Sequence, residues 1–179
     1  ALWSAVQASG MPLCCHIGIN TNLDDLTRRD PTAMKGVMVP MTALSTAEAL
    51  GMWILGGVFE RFPDLKVVFV EPGIGWIAWY LHIIDDMVQR QGYTFEHITD
   101  LPSTYFHRNV AVTFIDEPSS ISLLRHEIGI DNMMWSTDFP HPVTSWPDSQ
   151  DLVERAFAGL DADERHKLVC GNAQRIWNL

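Results

Sequence analysis

The sequence predicts an α/β protein built on a mainly parallel sheet, and three observations carry that expectation. Gly and Pro punctuate the 179 residues into alternating strand-like and helix-like segments, with no repeat and no low-complexity linker. The run Val67-Val68-Phe69-Val70 is continuously apolar, as a strand buried on both faces of a parallel sheet must be. Ionisable residues follow each strand-like run, at His16, Glu71, Asp116 and Asp138, at the edge where βα architectures gather their chemistry.

Each element has a local reason. Residues 2–9 read as a helix entered part-way and closed by Gly10, followed after Met11-Pro12 by a strand over 13–17. Residues 20–41 are polar and turn-rich at their start and read as a long loop after that strand, of the kind that covers a site. Ser45 and Glu48 have the spacing of a capping box and open a helix through Leu50, Ile54, Val58 and Phe59 that stops before Pro63. The strand Val67–Val70 follows. Beyond Gly73 and Gly75 a helix over 76–91 carries Ile77, Tyr80, Leu81, Ile84 and Val88 at helical spacing and stops at Gly92. A third strand over 110–115 precedes a short helix over 119–127, and a fourth strand spans 132–136. Three short helices close the chain, over 149–158, 161–169 and 172–177, the second started by Asp161 and Glu164.

Composition excludes several function classes. With 47% apolar and 19% charged residues, the chain reads as one globular domain over residues 1–179. A net charge of −10 with 12 scattered Lys and Arg argues against a nucleic-acid surface. Cys14, Cys15 and Cys170 are an odd count without framework or metal spacing, so reduced thiols and a cytoplasmic location are expected. No stretch reads as a targeting segment or as approaching the length of a membrane span.

The strand ends differ in weight as site candidates, because polar residues also mark where a strand meets solvent. His16 lies after Leu13-Cys14-Cys15 with Gly18 beside it for close approach; a hydrogen-bonded core histidine has the same surroundings. Glu71 follows four apolar residues and must find a cation, a donor or water. Asp138, directly after the fourth strand and held by Phe139-Pro140, is the strongest: a carboxylate there can ligate a metal or take a proton from its bound water. His141 beside Asp138, and Trp76 beyond Glu71, are assigned to substrate binding. Asp116 and Glu117 read as caps of the helix opened by Pro118. His82, His97, His107, His126 and His166 are assigned to structure. Gly73-Ile74-Gly75 lacks the third glycine and the downstream acidic residue of a dinucleotide fingerprint, so no phosphate cradle is expected.

Four stretches carry a family resemblance: Pro12-Leu13-Cys14-Cys15-His16-Ile17-Gly18, Arg61 through Gly73, Trp135-Ser136-Thr137-Asp138-Phe139-Pro140-His141, and Gly171-Asn172-Ala173-Gln174-Arg175. The chain resembles the amidohydrolase-related family, the branch of the amidohydrolase superfamily that contains the aminocarboxymuconate-semialdehyde and resorcylate decarboxylases. The resemblance implies a (β/α)8 barrel of TIM type, of which this chain holds only the second half, strands five to eight. It also implies a divalent metal, usually zinc, with His16 as the fifth-strand ligand and Asp138 as the eighth-strand aspartate. Two departures stand out. The family's first-strand His-x-His pair is absent, and Glu71 stands where many members carry a histidine.

The implied activity is metal-dependent hydrolysis, or non-oxidative decarboxylation, of a small carbonyl or carboxylate compound, with Asp138 and Glu71 as proton acceptors. A catalytic zinc normally takes three protein ligands. His16 and Asp138 alone fall short, so the expectation is that metal and activity are lost from this chain without an N-terminal half. The alternative is a non-catalytic half-barrel that persists as a homo-oligomer or binding module, because four strands leave two open edges.

Overall fold

Four parallel strands, β1 (Leu13–His16), β2 (Val67–Val70), β3 (Val110–Phe114) and β4 (Met133–Trp135), form one sheet in the order β1-β2-β3-β4. The computed structural model describes residues 1–18 and 20–179. Helices precede and separate the strands: α1 (Leu2–Ser9), α2 (Thr21–Arg29), α3 (Met38–Leu44), α4 (Thr46–Leu55), α5 (Val58–Arg61), α6 (Ile77–Arg90), α7 (Pro102–Asn109) and α8 (Pro118–Ile128). After β4 come α9 (Ser149–Ala156), α10 (Ala162–His166), a π turn over Lys167–Gly171, and α11 (Asn172–Trp177). Sequential parallel order is what repeated right-handed crossovers produce, and it is the arrangement of half a (β/α)8 barrel.

Register decides the two faces of the sheet. Cys15 pairs with Phe69, Phe69 with Val112 and Val112 with Met133. That face meets the helices in the main core, where Val67, Phe69, Val110, Val112, Phe114 and Met133 pack against Leu50, Ile54, Ile77, Leu81 and Ile121. The opposite face carries Val68, Ala111 and Met134, against which Ala173 and Ile176 of α11 pack. Cys14 and His16 share this second face by alternation, since Cys14 pairs with Val68 and His16 with Val70. β1 is an edge strand, and Cys14 and His16 are exposed where their partners on β2 are buried or half-buried.

Three buried asparagines tie the entrances of the strands together. Asn109 donates to the carbonyls of Pro63 and Leu65, both at 2.8 Å. Asn132 donates to Val110 O at 2.7 Å and to His107 O at 3.0 Å, and Asn172 to Ile130 O and Met133 O, both at 2.8 Å. Each side chain serves backbone carbonyls that the sheet ladder leaves over, so its burial is compensated.

Several expectations are corrected. Residues 20–41 are not a loop: the Asn20 side chain caps α2 by accepting from Leu23 N at 2.9 Å, and Asp25–Arg29 and Asp24–Arg28 pair one turn apart. Ser45 makes no capping box; its backbone is already helical and its hydroxyl donates to Thr42 O at 2.7 Å. The helix expected to run on to Phe59 breaks at Gly56-Gly57, where Gly57 takes φ 67 and α5 begins. α7, for which no helix was expected, opens with Pro102 in its first turn. Asp161 does cap α10, accepting from Glu164 N at 2.8 Å.

The apolar content of 33–55 is also a correction. Ala33–Leu55 spans 23 residues with mean hydropathy 1.3, enough by length and composition alone for a membrane crossing. Its backbone starts with positive φ at Met34 and Lys35 and stays helical through Ser45, and its last part packs Leu50 and Ile54 into the main core.

Candidate metal centre

The site forms where the strands end, and it needs the backbone to leave strand geometry. By alternation Glu71 belongs to the helix-packed face with Phe69, yet its φ of 66 turns it out of the strand. Its amide donates to Thr113 Oγ1 at 2.8 Å, and its carboxylate meets His16 Nε2 at 2.8 Å. Asp138 repeats the device past β4 with φ 54, and its Oδ1 lies 2.8 Å from His141 Nδ1.

These turns bring three donors together. Ligand atoms of Glu71, Asp138 and His141 all lie within 4.8 Å of one another, which is the span a single ion bridges. Burial is graded: the Asp138 side chain is 6% exposed and Glu71 17%, while His141 is 60% exposed. Two carboxylates and an imidazole fit a divalent cation, and this oxygen-rich set suits manganese as well as zinc. Two shallow clefts flank the group. One, about 160 Å³, is lined by His16, Ile17, Ser45 and Thr46; the other, about 210 Å³, by Ala43, Glu71, Gly73 and Glu117. The α3–α4 junction thus walls the strand ends, although the segment is helical rather than the loop expected there.

His16 joins the group through Glu71. Its Nδ1–H donates to Ile17 O at 2.7 Å while Nε2 faces the Glu71 carboxylate, a pairing in which both ring nitrogens donate, as they do in the imidazolium. The Ile17 carbonyl first, and Glu71 after it, hold the His16 pKa above the usual histidine value against a desolvation that pulls the other way. Trp76 gives its indole N–H to Pro72 O at 2.9 Å and packs edge-on to Tyr80, so here it braces the turn after Glu71.

Asp116 lies near Arg155 at 3.4 Å, and Glu117 does not cap its helix with its side chain as expected. The Glu117 carboxylate instead accepts from Ile74 N and Gly75 N, both at 2.8 Å. Neither Thr113 nor Glu117 was read as part of the site. Thr113 had a signal, a lone hydroxyl in the buried run Val110–Phe114; Glu117 had none, because its partners lie 42 and 43 residues away.

The model of the Amidohydrolase family matches residues 1–179. The chain belongs to the amidohydrolase family. Solved structures carry the same fold. An amidohydrolase from Mycobacterium avium subsp. paratuberculosis is 20% identical with a TM-score of 0.82, the match covering 98% of this chain and 44% of that one. The 5-carboxyvanillate decarboxylase from Sphingomonas paucimobilis is 25% identical with a TM-score of 0.73, covering 99% of this chain and 52% of that one. A dihydroxybenzoic acid decarboxylase from a Polaromonas species, solved with manganese and 2-nitroresorcinol, is 21% identical with a TM-score of 0.68, covering 99% and 52%. This amidohydrolase chain therefore spans about half the length of the solved structures it matches.

Proposed function

We propose that residues 1–179 form one domain of a metal-dependent amidohydrolase that hydrolyses, or decarboxylates without oxidation, a small carbonyl or carboxylate compound. The observation that carries this reading is the convergence of Glu71, Asp138 and His141 within 4.8 Å at the C-terminal edge of a parallel sheet. Those three residues would hold the cation; the resemblance makes His16 a further ligand, a role that requires its Nε2 to lose its proton and leave the Glu71 carboxylate.

A bound divalent ion supplies Lewis acidity and a lowered pKa for bound water. The chain's own residues supply the rest. Glu71 and Asp138 can each accept a proton, and His16 orients Glu71 from the far side at 2.8 Å. His141, more than half exposed, stands where a substrate carboxylate or carbonyl would enter. The decarboxylases among the solved relatives support the carboxylate alternative. The N-terminal half of the barrel, from the same polypeptide or a second one, would complete the wall that β1 and β4 leave open.

Elemental analysis and titration with Mn²⁺ and Zn²⁺ test the reading. One equivalent of a divalent metal is expected, with binding weakened at least ~10-fold by Asp138→Ala, the order of loss seen when a metal's supporting groups are removed. Uptake unchanged in Asp138→Ala overturns the site; uptake unchanged in His16→Ala removes His16 alone from it.

The open edges favour a second reading, in which a non-catalytic half-barrel covers them by pairing with another copy. Absence of metal from the protein, together with a stable oligomer, would select it.

A further inference from the structure

We infer that Glu117 is a positioning residue for the site, clamping the turn that holds Glu71 in place; the inference rests on the reading of Glu71 as a cation-holding carboxylate. The turn Glu71-Pro72-Gly73-Ile74-Gly75 presents two successive backbone amides, at Ile74 and Gly75, in the manner of an anion-binding nest. The Glu117 carboxylate fills it, with Oε1 on Ile74 N and Oε2 on Gly75 N, both at 2.8 Å, and Ser120 Oγ donates to Oε2 at 3.0 Å.

Both glycines are shaped to this carboxylate. A Cβ on Gly73 would lie 2.7 Å from Glu117 Oε1, and one on Gly75 would lie 2.8 Å from Ser120 Oγ and 3.2 Å from Glu117 Oε2. The Gly-x-Gly pattern thus makes room for an internal anion contributed from the start of α8. On the other side of the turn, Thr113 Oγ1 accepts the Glu71 amide and Pro72 O accepts the Trp76 indole. Glu71 sits between these anchors with φ 66, a conformation that its own side chain does not favour. Its carboxylate reaches His16 and the Asp138–His141 pair only while the turn is held. A carboxylate that carries no ligand atom of the site therefore sets the place of one that does.

A double-mutant cycle tests this in the native polypeptide carrying these residues, with Mn²⁺ as the probe. Glu117→Gln replaces one acceptor oxygen with an amide donor facing Gly75 N or Ile74 N, so one clamp bond is lost without loss of volume. The expected result is Mn²⁺ affinity weaker by ~10-fold, the lower end of what outer-shell partners contribute, and faster amide hydrogen exchange at Ile74 and Gly75. The same Glu117→Gln change in a Glu71→Gln background should cost nothing further. Gly75→Ala, which disturbs the clamp from the other side and leaves Glu117 intact, should repeat the loss. An equal Mn²⁺ loss from Glu117→Gln in both backgrounds, or no loss where Glu71→Gln does weaken binding, overturns the clamp and leaves the metal site standing. If Glu71→Gln itself leaves Mn²⁺ affinity unchanged, the reading of Glu71 falls and the clamp's role falls with it.

Discussion

At Glu71 and Asp138 the backbone enters the left-handed region, with φ 66 and 54, a conformation that costs a non-glycine residue on the order of 1 kcal/mol. Asparagine tolerates that region better than most side chains and keeps the shape of aspartate. Asp138→Asn is therefore expected to unfold within about 1 kcal/mol of the parent in a urea titration, while cation binding falls at least ~10-fold. Stability lost along with binding would mean that Asp138 serves the fold instead. Glu60 supports a prediction about pH. The Tyr105 hydroxyl first, then Thr99, donate to its carboxylate and hold its pKa below the usual glutamate value. A lowered folded-state pKa contributes stability that is present above the unfolded value of ~4.3 and is lost as pH falls through the folded value. Glu60→Gln should accordingly narrow the gap in unfolding midpoint between pH 7 and pH 3; an unchanged gap would show that other carboxylates dominate the acid response.

Among the elements, strands and long helices were legible from pattern, and their joints were not. The four strands fall on the runs expected, with β4 shortened to Met133–Trp135 and β3 ending at Phe114. Period-two burial and Gly or Pro punctuation are local properties, so sequence carries them. The polar composition of α2 reads as loop, although the Asn20 cap and the Asp–Arg pairs one turn apart are local helix signals. Asn20→Ala should cost ~1 kcal/mol, as N-cap losses do, read as lowered helicity and an earlier urea midpoint. The asparagine contacts at the strand entrances were beyond reach, since Asn172 serves carbonyls 39 and 42 residues away. Asn172→Ala leaves the Ile130 and Met133 carbonyls without that donor and is expected to cost ~1–3 kcal/mol in chemical denaturation. A loss well below that would mean that water replaces the amide.

For the whole molecule, the sheet has two outer strands, β1 and β4, and its second face is covered by α11 only in part. Cys14 and His16 remain exposed on that face. Residues 1–179 prepared alone are expected to self-associate, because open parallel edges recruit further strands. Sedimentation should show dimers or larger species; a monomer that binds no hydrophobic dye would contradict this.

The α/β class, the parallel order and the gathering of His16, Glu71 and Asp138 at one strand edge were readable from the chain, because alternation and burial pattern are properties of neighbouring residues. The family resemblance rested on the same short stretches. Which donors meet was decided by tertiary structure. Left-handed turns at two strand exits carry Glu71 and Asp138 together with His141, and Thr113 and Glu117, from β3 and the start of α8, hold the first of those turns. The Thr113 and Glu117 contacts join residues about 40 positions apart, through dihedral angles and backbone amides that no spacing in the sequence records.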